Sequence, residues 1–579
     1  MKHIRKALTL LLTALLVFSL CACGSNTTNS TSNSNKEETS QQTEAAAETV
    51  ENAAGDSEKE PADDSNSDSN EKEAASVSIA ESGDQTETSD ESASARQEQP
   101  GNPPDGNGAP DGNGGPGGTP PDGNGAPDGN GGPGGTPPDG NGAPDGMPPG
   151  GEGGNGSSNH GGPGGAPGGS SSSDIEYSGA VEITSEDSQS DQTYDSSTVD
   201  ESALLISTSD DVTVSNPTVS KSGDSDGGDN CNFYGLNAAV LVKDGSVTTI
   251  TGGTITSDAS GANGVFCYGG NGGQNGAEGD GTTVYISDTT ITTTGDGSGG
   301  IMTTGGGVTH AENLTVTTSG RSSAAIRTDR GGGTVYVDGG TYTSNGLGSP
   351  AIYSTAEIHV ANATLTSNLS EGVCIEGLNS IELTDCDLTA DNTECNGNAT
   401  FLDSIMIYQS MSGDAASGTS SFTMTGGSLT SKSGHVFHVT NTSAVITLSG
   451  VAITNEDSEN ILLSVCDDGW SGGSNEAALN ASAQELTGAI LVGSNSTLHL
   501  NLTDGSAFEG YIDGAITNAG GTVVSTETGT VSVTLDDSST WTLTGDSYVT
   551  EFNGDAANVI SNGYTLYVNG TALTGTGNN

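Results

Sequence analysis

Short strand patterns recur along the C-terminal part of this 579-residue chain and constrain its fold more than any other feature. Each unit begins with two apolar residues separated by one residue of any type. The apolar residue of a second strand lies five positions after the second of these apolar residues. Successive second-strand residues are mostly 23 to 26 positions apart. The paired segments are 284–286 with Ile291, 335–337 with Tyr342, 358–360 with Leu365, 381–383 with Leu388, 422–424 with Leu429 and 446–448 with Ile453.

A third short strand follows each pair, so that every unit contains three strands. The third strands lie at 264–268, 300–303, 324–327, 350–353, 372–376 and 436–439. Three short strands repeated at this period predict a parallel β-helix, whose coils stack about 4.8 Å apart. A leucine-rich repeat has a similar period, but its leucine and asparagine pattern is missing. We therefore expect an all-β parallel β-helix over residues 174–579, with a looser C-terminal capping region from about residue 480.

The N-terminus has the organisation of a secretory signal. A charged start, Met1 to Lys6, precedes a short apolar run from Ala7 to Leu20. The following Leu20-Cys21-Ala22-Cys23-Gly24-Ser25 resembles the lipobox of bacterial lipoproteins. The resemblance implies a lipoprotein signal peptide at residues 1–23, in which Cys23 is lipidated and becomes the new N-terminus after cleavage. The alternative is a cleaved signal with incidental cysteines. The resemblance predicts attachment through lipid to the outer face of a membrane, with the chain exposed at the cell surface.

Residues 24–173 show no apolar periodicity and predict a disordered linker. An acidic, serine-rich stretch is followed by a 17-residue tandem repeat of Gly, Pro, Asp and Asn that starts at Pro103 and again at Pro120. A flexible chain of about 150 residues averages about 65 Å end to end, which suits a stalk. The formal net charge of -62 argues against nucleic acid as a partner, because phosphates would be repelled.

One position of the repeat places rings in successive coils. If Val284 and Ile286 point inward, the residue between them points outward. The same position in the following coils gives a predicted exposed column of Tyr285, His310, Tyr336 and His359, with Glu382 next. Such a column would contact sugar rings. The alternative is that stacked side chains only stabilise the helix, because aromatic pairs contribute about 0.5 to 1.5 kcal/mol beyond burial.

Three of the few basic residues of the repeat region cluster at 321–330. Arg327 and Arg330 flank Asp329, and the strand alignment places Arg327 facing outward between Thr303 and Tyr353. Guanidinium groups bind carboxylates in bidentate fashion, so the cluster predicts a site for a carboxylated sugar that includes Arg327, Asp329, Arg330 and Tyr353. The alternative is an Arg and Asp set that fixes a turn.

Calcium is the one cofactor that the sequence suggests. Asp224, Asp226 and Asp229 supply closely spaced carboxylates, although the segment lacks the spacing of an EF-hand loop. The alternative is a solvated acidic loop. We assign no catalytic residue, because no Ser, His and Asp set can be identified in so serine-rich a chain.

The repeat region resembles the right-handed β-helix superfamily, which includes pectate lyases, polygalacturonases and bacterial surface adhesins. Segments 237–240, 298–302 and 323–330 are most similar to adhesin-like β-helix lipoproteins of Gram-positive bacteria. The resemblance implies a right-handed coil and a non-enzymatic surface adhesin or polysaccharide-binding protein, with a polysaccharide or a host or cell-wall surface ligand as partner. The alternative is a calcium-dependent polysaccharide lyase or glycoside hydrolase acting on acidic glycans, although the aspartate and histidine motifs of polygalacturonases are missing as a set. A purely structural cell-wall component is a third possibility.

Overall fold

The computed structural model describes residues 175–225, 227–272, 278–470 and 474–578. The expected signal peptide, the lipidation site Cys23, the linker and Asp226 lie outside these ranges. Within them, no helix is long and apolar enough for a membrane span. The described part has a six-residue α-helix, Asp229–Tyr234, and a short 3-10 helix, Ala556–Asn558.

The described chain folds as an all-β parallel β-helix, as predicted. In the coils up to residue 465, each coil contributes one strand to each of three parallel sheets. Sheets 1, 2 and 3 contain the first, second and third strand of the repeat unit that the sequence predicts. Sheet 1 contains Asp187–Ser190, Asp211–Ser215, Val247–Thr251, Thr283–Ser287, Gly307–Glu312, Gly333–Asp338, Glu357–Ala361, Ser380–Thr384, Thr419–Thr425, Ser443–Ser449, Asn475–Ser482, Ser496–Thr503, Thr530–Leu535 and Glu551–Asn553.

Sheets 2 and 3 complete the coils. Sheet 2 contains Thr193–Ser196, Thr218–Lys221, Thr254–Ser257, Thr290–Thr293, Thr315–Thr318, Thr341–Ser344, Thr364–Ser367, Asp387–Ala390, Ser428–Ser431 and Ala452–Asn455. Sheet 3 contains Ser178–Ile183, Glu201–Ser207, Val240–Lys243, Val265–Tyr268, Ile301–Thr304, Ile326–Thr328, Ile352–Ser354, Val373–Glu376, Asp403–Tyr408, His435–Thr440, Ile461–Val465, Ala489–Val492 and Ile512–Asp513.

Coils continue beyond residue 480, where a looser capping region was expected. A four-stranded parallel sheet comprises Glu485–Thr487, Ala507–Gly510, Thr540–Leu543 and Val559–Ile560. The remaining strands are Ala515–Thr517 paired with Val523–Thr526, and the group Ser547–Val549, Leu566–Val568 and Thr571–Ala572. Sheet 1 itself extends to Glu551–Asn553, so the coil repeat includes most of the expected cap.

Alternation along the strands of sheet 1 separates core from surface. Val284 and Ile286 are 0% and 1% exposed, whereas Tyr285 between them is 44% exposed. The inward residues of all coils form one continuous apolar core that extends from Ile183 to Leu566. Because burial of apolar side chains is the main favourable contribution to folding, this continuous core holds the coils in register.

The corner between sheets 1 and 2 requires a left-handed backbone conformation. Glycine adopts this conformation without a steric cost, and Asn and Asp tolerate it better than other residues. Ala483 is the exception to this preference, with φ of 51°. The residues with this conformation after a sheet 1 strand are Asp191, Asn216, Gly252, Asp288, Asn313, Gly339, Asn362, Asp385, Gly426 and Gly450 before sheet 2, and Ala483 and Asp504 before the four-stranded sheet described above.

We expect Asn313→Val to destabilise the protein by about 1 to 2 kcal/mol, because a β-branched side chain clashes with the backbone at a φ of 52°. Asn313→Gly should leave the free energy of unfolding nearly unchanged. Urea denaturation followed by circular dichroism measures both. Asp195→Val, which introduces the same branched side chain at an exposed position of a sheet 2 strand, is the control for β-branching itself. Equal stability of Asn313→Val and Asn313→Gly would contradict the role of the corner.

Candidate ligand-binding site

Sheet 1 brings the four predicted rings into one column. Tyr285 pairs with His310, His310 with Tyr336 and Tyr336 with His359, while Glu382 continues the column in the next coil. The ring centroids are 4.8, 4.9 and 5.1 Å apart, and the ring planes are within 12° of parallel. We call Tyr285, His310, Tyr336 and His359 the ring column.

The coil spacing determines which part of each ring meets solvent. Parallel rings whose centroids are about 4.8 Å apart cannot be coplanar neighbours, because their carbon atoms would overlap. Ring faces touch at about 3.5 to 4.0 Å between planes, so rings at this centroid spacing reach contact through a sideways offset of about 3 Å. This is the favoured offset stack. Tyr285 and Tyr336 remain 44% and 42% exposed, so stacking covers part of the platform expected for sugar contact and leaves the rest open to solvent.

Carboxylates surround the ring column. His359 contacts Glu357 through Nε2 at 2.8 Å and Glu382 through Nδ1 at 3.1 Å. A groove of about 610 Å³ runs over the ring column, and its walls include Glu312 and Asp338. Loss of water contact lowers the pKa of His310, so this imidazole favours its neutral form. The groove therefore offers hydroxyl, imidazole and carboxylate groups side by side.

The arginine cluster lies elsewhere, on the outer side of sheet 3, and it is buried. Arg327 is 5% exposed and Asp329 is 3% exposed, with 2.5 Å between Nη2 and a carboxylate oxygen. Arg327 pairs with Met302 and Tyr353, so the predicted neighbour Thr303 was wrong by one residue. The Arg327 guanidinium lies 5.5 Å from the centre of the Tyr353 ring, which is also buried.

Arg330 and Arg321 are also bound within the protein. Arg330 forms an ion pair with Asp414, and its guanidinium lies 4.3 Å from the centre of the Phe233 ring. Arg321 donates a hydrogen bond of 2.8 Å to Asn396. The expectation that Arg327 faces solvent is therefore wrong, because its side chain is buried, and the guanidinium groups of the cluster already have partners within the protein. A site for a carboxylated sugar at this cluster stays a prediction. The alternative interpretation, an Arg and Asp set that fixes local structure, agrees with these contacts.

The acidic loop suggested for calcium is only partly described. Asp224 accepts a hydrogen bond of 2.8 Å from the backbone of Ser260, and Asp229 begins the α-helix. Among the residues that the structure describes, no three His, Cys, Asp or Glu side chains come together in a way that would hold a metal ion.

The sequence did not predict a buried polar network around Glu376, which contacts the segment that carries Asp414. Glu376 accepts hydrogen bonds from Tyr353 at 2.6 Å and Tyr408 at 3.3 Å, and it also contacts Ser410. Burial raises the pKa of Glu376, and the hydroxyl donors oppose that shift. Tyr353 and Tyr408 lie on neighbouring strands of sheet 3, and Ser410 follows the second of these strands, which the repeat pattern had not identified.

His435 and His438 form a second buried group on sheet 3. The Nδ1 atoms of both rings lie 2.7 Å from the hydroxyl oxygen of Ser464. His438 also stacks on Phe401, with 4.6 Å between ring centres, and its Nε2 lies 3.4 Å from Asp468. Burial, with a smaller contribution from His438, lowers the pKa of His435 to about 3. His435 is therefore neutral in the folded protein at ordinary pH.

Comparison of the chain with models of protein families, with curated proteins and with solved structures found no match.

We expect acid to weaken the fold through His435. Its folded pKa of about 3 lies below the ordinary value of 6.5, so its stabilising contribution is complete above about pH 6.5 and is lost as the pH falls towards 3. Between these values the free energy of unfolding should fall by up to about 1.4 kcal/mol per pH unit from this group. His435→Gln should show a shallower fall in urea denaturation at a series of pH values.

The comparison between variants is needed because buried carboxyl groups act in the opposite direction. Burial raises the pKa of Glu371 and of Asp403, so their protonation favours the folded protein as the pH falls. The effect of these carboxyl groups is present in the wild type and in His435→Gln, so the difference between their slopes reports His435. His499→Gln, at an exposed position of sheet 1, serves as the control and should retain the wild-type slope. A wild-type slope in His435→Gln would contradict the assignment.

Proposed function

We propose that this protein binds polysaccharide at the cell surface through the groove over the ring column. The observation that carries the proposal is the exposed offset stack of Tyr285, His310, Tyr336 and His359 beside carboxylates. Tyrosine hydroxyls and imidazole nitrogens both donate and accept hydrogen bonds, and carboxylates accept them from sugar hydroxyls. Exposed strips of the ring faces add apolar contact with sugar C–H groups.

The periodicity of the groove favours a polymeric ligand. The ring column presents the same type of contact at each coil, about 5 Å from the last. A polysaccharide also presents equivalent groups at regular intervals, so that several weak contacts act together on one molecule. The enclosing carboxylates of Glu312, Asp338 and Glu382 disfavour a polyanion, which changes the expected ligand from an acidic glycan to an uncharged or cationic one.

The N-terminal region would determine where binding takes place. Lipid on Cys23 and a linker over residues 24–173 would hold the β-helix away from the membrane but tethered to it. Both features are sequence predictions. Under this proposal the protein acts as a non-enzymatic adhesin or polysaccharide-binding lipoprotein.

The test replaces rings by the residue that other coils carry in the same column. Thr249 precedes Tyr285, and Thr423 follows Glu382, so Tyr285→Thr with Tyr336→Thr removes two rings and retains a residue suited to the strand. Binding should first be detected on an array of neutral, acidic and amino-sugar polysaccharides. Calorimetry should then show at least a tenfold weaker affinity in the double variant, equivalent to about 1.4 kcal/mol.

A matched control separates binding from stability. Thr290→Ala with Thr341→Ala changes two exposed positions of sheet 2, in the same coils but on a different face. This control should bind as the wild type does. If the double tyrosine variant loses thermal stability but retains full affinity, the ring column only stabilises the fold and the proposed site is wrong.

A further inference from the structure

A buried lysine and a buried asparagine share one acceptor near the N-terminal end of the β-helix. Lys221 ends a strand of sheet 2, and Asn237 lies before the strand Val240–Lys243 of sheet 3. Each is 1% exposed. The Lys221 ammonium donates to the carbonyl oxygen of Gly223 at 2.7 Å, and the Asn237 amide donates to the same oxygen at 2.8 Å. The two side-chain nitrogens therefore meet around one oxygen atom.

Lys221 lacks the partner that a buried charge requires. It donates to two neutral carbonyl oxygens, those of Gly223 and Thr198, and within the described part of the chain it forms no ion pair. A buried charge without a counter-ion is costly, and a lysine in such a place tends to lose its proton. Burial accordingly lowers the pKa of Lys221, against the opposing effect of Glu201 and other carboxylates. A neutral ε-amine is a nucleophile.

Asn237, like Lys221, has a buried polar group without a suitable partner. Its Oδ1 atom is buried and accepts no hydrogen bond, although its Nδ2 donates to Gly223 and to Ser260. Its backbone has φ of 68°, a left-handed conformation, so the residue is held in a fixed and uncommon geometry. An unsatisfied buried carbonyl oxygen costs stability. Lys221 and Asn237 thus meet at the carbonyl oxygen of Gly223, the lysine without a counter-ion among the described residues and the asparagine with an unsatisfied Oδ1.

We propose that Lys221 and Asn237 form an intramolecular isopeptide bond. The neutral Lys221 amine attacks the side-chain carbonyl carbon of Asn237, the new Nζ–Cγ bond forms, and the Cγ–Nδ2 bond breaks. The displaced nitrogen takes up a proton from the amine and leaves as ammonia, so no oxidant or other reactant is needed. The product replaces a buried amine and a primary amide by one uncharged secondary amide. The bond would join sheet 2 to sheet 3 by a covalent link.

Glu201 is the group assigned to move the proton. Ser196 pairs with Lys221 in sheet 2, and its hydroxyl donates a hydrogen bond of 2.7 Å to the Glu201 carboxylate. This contact holds the Glu201 carboxylate next to the lysine strand. We expect Glu201→Gln to form the bond more slowly, as measured by mass spectrometry after increasing times of incubation. An unchanged rate would remove Glu201 from this role.

The experiment is mass spectrometry of the full chain under denaturing conditions. The wild type should be lighter than its sequence mass by one ammonia, and Lys221→Met and Asn237→Ala should both have their full mass. Digestion at the aspartates between the two residues should leave two fragments joined through Lys221 and Asn237 in the wild type alone. Asn263→Ala, another buried asparagine near Cys231, is the control and should retain the bond.

Two results would overturn the proposal. A wild-type chain of full mass with no joined fragments after prolonged incubation shows that the bond does not form. A loss of ammonia that persists in Lys221→Met comes from cyclisation of an asparagine on its own backbone, not from the lysine. Lys221→Arg, which retains the charge but should not form the bond, provides the same test if Lys221→Met fails to fold.

Discussion

The structure depends on a fixed relation between the strand of sheet 1 and the strand of sheet 2 in each coil. A strand can slip by one residue only by turning its core side chains to the surface, and the left-handed corner prevents this slip. In one coil, Ile286 before the corner and Ile291 after it both point into the core, with Asp288 at the turn. This explains the constant spacing of five positions between apolar residues. Every surface column follows from that register.

The same register explains why the ring column behaves as an offset stack. Coils in a parallel sheet are separated by more than the thickness of an aromatic ring, so rings at one position must slide sideways to touch. Tyr285 and Tyr336 therefore use parts of their faces on His310, and they present edges to solvent. Stabilisation and recognition are not exclusive in this geometry, because the stack uses ring faces while hydroxyl and imidazole edges remain available to a ligand.

The sequence predicted the column of sheet 1 and the positions of six sheet 3 strands well, but it did not predict the pairing and burial of residues on sheet 3. Strands of sheet 1 have one face exposed to solvent and one face in the core, so alternation of polar and apolar residues identifies which residues point outward. The strand Ile301–Thr304 of sheet 3 is buried on both faces, and it shows no alternation that would distinguish Met302 from Thr303. The pattern of residues around Arg327 also did not indicate that its side chain is buried. Asp414, the partner of Arg330, is 84 positions away in an insertion whose placement no periodicity indicates.

Several basic side chains of the β-helix are enclosed within the protein, whereas the groove over the ring column is lined by carboxylates. This difference affects which ligand the groove can bind. Arg327 and Arg330 neutralise buried carboxylates on sheet 3, and Lys221 is enclosed between sheets 2 and 3. The groove on sheet 1 is lined by Glu312, Asp338 and Glu382, without a lysine or arginine among its described lining residues. With a formal net charge of -62, the chain has no excess of positive charge to compensate at long range. Under the proposed function, recognition on sheet 1 would come from hydrogen bonds and ring contacts, which suits an uncharged or cationic polymer better than a polyanion.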